Sequence, residues 1–198
     1  MSDAHFRSRC LEDTGFLARH VLGYDYDRDD RTGDIKRPGG IREDGPHGRM
    51  IALVDSPSRW KHMEAPRDSY KTSLLISRAV REILRNPNCR ILWYNATDDE
   101  AQKYTAQIRE HLRSEKVTSI FGPVEAKDSS DESFMVRGRT LPLKEPTLTS
   151  GSVQNNVTGS HCDLIIADDL VTWQNVRTDA AIQKVRDSFT MLIPLLDP

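Results

Sequence analysis

The stretch Ala65-Pro66-Arg67-Asp68-Ser69-Tyr70-Lys71-Thr72-Ser73 ends as a phosphate-binding loop does, in Lys-Thr, but it lacks both glycines of the pattern G-x-x-x-x-G-K-[ST]. Ala65 stands at the first glycine position and Tyr70 at the second. The chemistry of such a loop needs backbone N–H groups and a helix N-terminus facing phosphate oxygens. Lys71 adds a cation at the β/γ oxygens, and Thr72 supplies a hydroxyl for Mg²⁺. Every non-proline residue carries an N–H, so the missing glycines weaken the signal without removing the mechanism. The bland reading is a helix start with a solvated lysine, and alone the relaxed motif does not decide between the two.

A second stretch, "CDLIIADDL" from Cys162 to Leu170, is an apolar run that delivers Asp168 and Asp169 at its end. A buried strand with two carboxylates at its carboxyl end has the form of a Walker B segment. Asp168 suits a metal ion, and Asp169 suits the polarisation of an attacking water. A strand followed by an acidic turn is common by itself. The two motifs together are much less so, and Asp168 lies 97 residues beyond Lys71, room enough for the elements of a nucleotide-binding core.

Two weaker features accompany them. In "WYNATDDE" a strand ends near Asn95 and a helix opens at Thr97, with Glu100 three places on as a capping box. Ligands of open α/β sheets sit at strand carboxyl ends, so Asn95 and Thr97 are candidates to line the same cleft; plain capping by Thr97 is the competing reading. In "VRGR", Arg137 and Arg139 are candidates for an arginine that reaches a neighbouring subunit's phosphate. Solvated strand-end charges are the commoner explanation, and Arg67, inside the loop, is the better phosphate or subunit contact.

The elements needed to position these groups can be read from pattern. Residues 10–22 have amphipathic helical spacing. Residues 23–48 are rich in Gly, Pro and mixed charge and read as a long loop or linker. A helix is expected over "RMIALVDS", a short strand over "RWKHMEA", a helix over "KTSLLISRAVREIL", a buried strand over "CRILWYNA" and a helix after Thr97. Residues 122–133 read as a loop, "SFMVRGRTL" and "PTLTSGSV" as strands, "CDLIIADD" as a strand, and 178–192 as a last helix. That order predicts an α/β fold with a mainly parallel sheet and helices on both faces.

Composition sets the limits. The 198 residues are 37% hydrophobic and 29% charged with a formal charge of −2, so the chain is no basic nucleic-acid coat, and no basic stripe marks a DNA contact. No apolar run approaches the about 18 residues that would suggest a membrane span, and the polar start "MSDAHFRSRC" is not a signal peptide. Three scattered cysteines and six histidines show no metal-ligand spacing and fit a reducing compartment.

Taken in order, "APRDSYKTSL", "ILWYNATDDEAQKYTAQIREHL", "KEPTLTSGSV" and "TGSHCDLIIADDLVT" resemble the N-terminal ATPase domain of tailed-phage large terminase subunits over roughly residues 45–198. That family's Walker A often begins A-P-R. The resemblance implies a P-loop NTPase fold of the ASCE, RecA-like kind. It divides the chain into an N-terminal helix and charged loop over 1–48 and an ATPase core over 49–198. It implies an ATP- and Mg²⁺-dependent motor that drives double-stranded DNA into a procapsid. By motif, Ala65 to Ser73 bind the nucleotide and Arg67 is the Walker A arginine. Lys71 and Thr72 take phosphate and Mg²⁺, Asp168 is the metal carboxylate and Asp169 the catalytic acid.

The partners implied are the portal protein, a small terminase subunit and further copies in a ring, usually of five, with a monomer expected in isolation. The place implied is the host cytoplasm, docked on the portal. Family members often have Glu where Asp169 stands, and Tyr70 adds bulk beside the phosphates. In the family a coupling strand and a nuclease domain follow the segment matched here. The chain is therefore expected to be weakly active alone and to lack nuclease activity. The alternatives are a helicase-like or DNA-repair ATPase, and a nucleotide-binding assembly module that does not hydrolyse.

Overall fold

The computed structural model describes residues 2–25, 27–28, 35–37, 40–124, 126–127, 130–155, 157 and 159–196. Their contacts group into two compact units, residues 1–85 with 111–123, and residues 86–110 with 124–198.

The first unit is helical. Helix α1 (Asp3–Glu12) starts at Ser2, whose side chain accepts the His5 amide. Asp13 ends it and begins α2 (Thr14–His20), accepting the Phe16 amide at 2.8 Å. The single amphipathic helix expected over 10–22 is thus two helices. Asp13 is the reason, because its side chain caps a new N-terminus instead of lying along a continuous helix. A two-strand antiparallel pair follows, β1 (Asp27–Arg28) and β2 (Ile35–Arg37), within the segment expected to be a loop; the rest of residues 26–39 lies outside the described residues. Helix α3 (Gly45–Asp55) comes next, with Pro46 in its first turn, and then α4 (Lys71–Arg85).

Between α3 and α4 the expected strand over "RWKHMEA" is absent: residues 60–66 carry no regular structure, and Trp60 is more than half exposed. A strand exists only where a neighbour takes its backbone hydrogen bonds, and none is formed here among the described residues. Ala18, Ile41, Met50 and Leu74 form an apolar cluster on which Met63, Ala65 and Tyr70 pack. Gly15 lets α2 and α3 approach closely, since a Cβ there would overlap the Ile51 side chain.

Polar bonds fix these helices further. Asp55, at the end of α3, accepts the Thr14 amide at 2.9 Å and the Thr14 hydroxyl at 2.6 Å. The same carboxylate pairs with Arg81 of α4 at 2.9 Å, and Arg81 also donates to the Glu12 carbonyl at 2.7 Å. Burial pulls the Arg81 pKa down, and Asp55 opposes that shift. Helix α5 (Asp98–Arg113) contributes its end to this unit, followed by α6 (Glu115–Phe121), capped by Ser114.

The second unit is a mixed α/β structure. Its strands are β3 (Ile91–Asn95), β4 (Ala126–Lys127), β5 (Ser133–Val136), β6 (Leu148–Ser152) and β7 (Leu164–Ala167), in the order β4-β5-β6-β3-β7. The expected strands near 91–95, 133–136, 148–152 and 164–167 are present. The pairs β6–β3 and β3–β7 are parallel, and β4–β5 and β5–β6 are antiparallel. Strand β3 lies between two parallel neighbours, is buried throughout and reads as an unbroken β-prone run. At the start of β3, Arg90 holds Asp163 with a 2.8 Å ion pair and a 2.7 Å amide bond.

Alternation on β3 sets the two faces. Leu92 and Tyr94 pack with Val185 and Leu192 of α7 (Asp179–Leu192), which Thr178 caps. Trp93 turns the other way and meets Tyr104 of α5, ring centroids 5.6 Å apart. Helices therefore cover both faces of this strand, as the sequence order predicts. Among the described residues no helix is long and apolar enough to cross a membrane.

Candidate functional site

The loop before α4 lies in the first unit. Arg67 and Asp68 form a turn and are exposed, and Lys71, Thr72 and Ser73 make the first turn of α4. The helix opens with the Leu74 amide donating to the Tyr70 carbonyl at 2.9 Å. Two non-glycine residues of the loop have left-handed backbone, Asp68 at φ 60° and Tyr70 at φ 59°. Tyr70 occupies the position where the consensus has its second glycine, and it adopts the conformation that glycine takes without strain. Left-handed residues are a usual component of loops whose amides form an anion-binding nest.

The cost of that backbone is met by packing. The Tyr70 ring lies against the Ala18–Met50–Leu74 cluster and makes an edge contact with His47, centroids 5.7 Å apart. The bulk expected beside the phosphates is therefore taken up by the core. Ala65, at the first glycine position, packs on the same cluster. The Ser69 hydroxyl oxygen, in the middle of the loop, is buried and has no hydrogen-bond partner among the described residues. A buried hydroxyl without a partner is rare in folded proteins, and an oxyanion on the loop would supply one.

The acidic pair lies in the second unit, at the carboxyl ends of the parallel strands. Asp168 continues the β3–β7 ladder, its amide donating to the Tyr94 carbonyl at 2.9 Å. It is 2% exposed, whereas Asp169 is exposed and left-handed, φ 46°. Asp tolerates that region better than most residues, a local reason for Asp rather than the longer Glu. Asn95, at the end of β3, is also buried; its Nδ2 donates to the Asp168 carbonyl at 2.8 Å, while its Oδ1 accepts the Trp93 indole N–H at 2.7 Å.

Thr97 caps α5, accepting the Glu100 amide at 3.4 Å, so its hydroxyl serves the helix. The phenol of Tyr104 is pushed above its ordinary range by burial, with Glu100, Asp168 and Asp169 adding to the effect, and it stays neutral at pH 7. The loop after the acids is organised by Asn175, which accepts the Thr172 amide and donates to the Leu170 carbonyl, both at 2.7 Å.

The two arginines after β5 differ. Arg137 is exposed. Arg139 is half-buried, donates to the Glu145 carbonyl at 2.7 Å and keeps Nε and Nη2 buried without partners among the described residues.

The sequence reading missed Trp93 and Tyr104. The period-two spacing of Trp93 and Asn95 on one strand was the available signal. It also missed the left-handed loop, for which a tyrosine gives no signal.

Among the described residues no group of three or more His, Cys, Asp or Glu side chains is arranged to hold a metal ion. Thr72 in the first unit and Asp168 in the second each offer an oxygen donor, the type of ligand that a hard cation such as Mg²⁺ takes. No protein-family model matches the sequence, and no curated protein matches it.

Proposed function

We propose that the chain is an ATP-hydrolysing P-loop domain, of the kind that drives double-stranded DNA into a viral procapsid. The observation that carries the reading is the backbone of the loop. Directly before a helix that opens in Lys71-Thr72, Tyr70 takes the glycine conformation, for which tyrosine has no intrinsic preference. Support comes from the orphaned Ser69 hydroxyl in the same loop, and from a parallel edge strand, only partly buried, that pairs with the buried β3 and leads into Asp168 and Asp169.

In this reading the amides from Arg67 to Thr72 and the N-terminus of α4 receive the triphosphate. Lys71 neutralises the β/γ oxygens, and Arg67 contacts phosphate or a neighbouring copy. Thr72 and Asp168 would hold Mg²⁺, which would offset phosphate charge. Asp169 orients the attacking water and accepts its proton. The exposed Arg137 is better placed than the half-buried Arg139 to act on another copy's nucleotide. Portal, small subunit, DNA and a ring of copies are the partners this reading requires.

Hydrolysis needs both motifs on one nucleotide. Lys71→Ala and Asp168→Asn are each expected to abolish Mg²⁺-dependent ATP turnover, measured at high protein concentration, while circular dichroism stays unchanged. Turnover that survives either substitution contradicts the assignment. Nucleotide binding without turnover in the unsubstituted chain indicates the assembly module.

A further inference from the structure

Resting on that reading of Asp168, we propose that Trp93 and Asn95 form a buried relay that positions the two acids, with Asn95 acting on the peptide that joins them. The Asp168 carbonyl belongs to the 168–169 peptide. Its orientation sets the backbone angles on either side, ψ of Asp168 and φ of Asp169, and so the direction of both carboxylates. Asn95 Nδ2 holds that carbonyl at 2.8 Å from the neighbouring strand. The Asp168 amide is held by Tyr94 at 2.9 Å, so this acid is fastened on both sides.

The amide of Asn95 could in principle present either end to Asp168. Trp93 removes the choice. An indole N–H is a donor only, and it donates to Asn95 Oδ1 at 2.7 Å. The oxygen is thereby committed and the NH₂ group faces Asp168. Trp93 is fully buried and Asn95 is 2% exposed, so water does not compete for either bond. The Asn95 carbonyl is itself anchored, accepting the Val153 amide at 3.0 Å. The left-handed φ of Asp169 needs such a restraint, because an unrestrained aspartate favours right-handed or extended backbone. Asn95 does not touch a reacting atom in this scheme; it is a positioning residue, and Trp93 positions it in turn.

The test uses the full chain with Mn²⁺ as the probe, its binding read by electron paramagnetic resonance, and the Asp169 amide read by ¹⁵N NMR. Asn95→Leu keeps the side-chain size and removes the donor. It is expected to weaken Mn²⁺ binding about tenfold, as loss of a residue that orients a metal ligand does, and to lower kcat with KM for ATP unchanged. Trp93→Phe, the milder change, keeps a ring and removes only the indole N–H. It is expected to move the Asp169 amide resonance and weaken Mn²⁺ binding less. The double variant should be no worse than Asn95→Leu alone, because the indole acts only through Asn95.

A folded Asn95→Leu chain with unchanged Mn²⁺ affinity overturns the proposal while leaving the Asp168 assignment in place. So does a Trp93→Phe chain whose Asp169 resonance does not move, or a double variant whose losses add. If Asp168→Asn binds Mn²⁺ as well as the unsubstituted chain does, the metal-carboxylate reading falls, and the proposal with it.

Discussion

The loop before α4 and the acidic end of β7 solve one problem by different means. Each must hold non-glycine residues in left-handed backbone, Asp68 and Tyr70 in the first and Asp169 in the second. The loop is held by apolar packing of Ala65 and Tyr70, on a helix that buried charge fastens through Asp55 and Arg81. The acids are held by a parallel ladder and a side-chain clamp from Asn95. Packing is non-directional and tolerates exchange, whereas a buried hydrogen bond fixes one geometry and is costly to leave half-made. A surface that receives phosphate through many amides can rely on the first. A carboxylate that must point at one place needs the second.

The strongest way to break this contrast is at Asp55. Its removal leaves Arg81, whose side chain is 3% exposed, without its partner carboxylate. Asp55→Ala should therefore cost about 3–5 kcal/mol in urea unfolding, the usual penalty for stranding a buried charge. A loss below about 1 kcal/mol would mean that packing alone holds α4.

A smaller effect is expected at Asp68, exposed and left-handed. Asp68→Val should destabilise by about 1–2 kcal/mol, because a β-branched residue resists that backbone, and Asp68→Gly should be neutral or slightly stabilising. Equal stability of the two variants would show that the loop is not held in this conformation.

The smallest effect is expected at Asp169. Asp169→Glu should keep or raise turnover and cost about 1 kcal/mol of stability for its less tolerant left-handed backbone. A folded but inactive Glu variant would argue against its role as the base.

How much of this was legible in the sequence follows from the same contrast. The strand–helix order of the second unit could be read because β3 and β7 are short apolar runs whose character does not depend on distant context. The capping of α5 by Thr97 and of α7 by Thr178 was equally local. The strand expected at 59–65 was not, since strand formation depends on a partner that no local pattern reveals. The break at Asp13 was hidden because the apolar spacing runs on through it, although the cap is local.

At the candidate site, Lys71, Asp168 and Asp169 were visible by type and spacing. The glycine-like backbone of Tyr70 was not, because it depends on a cluster that brings Ala18 and Met50, distant in the chain, against the nearby Leu74. Trp93 looked like core, and its indole N–H became meaningful only once Asn95 and Asp168 were seen beside it.

The most direct test of the central claim is a crystal structure of the chain with Mg²⁺ and a non-hydrolysable ATP analogue. The account predicts β- and γ-phosphate oxygens within hydrogen-bond distance of the amides of Ser69, Tyr70, Lys71 and Thr72, with Lys71 Nζ against the γ-phosphate. A triphosphate bound elsewhere, with those amides turned to protein groups, would contradict it.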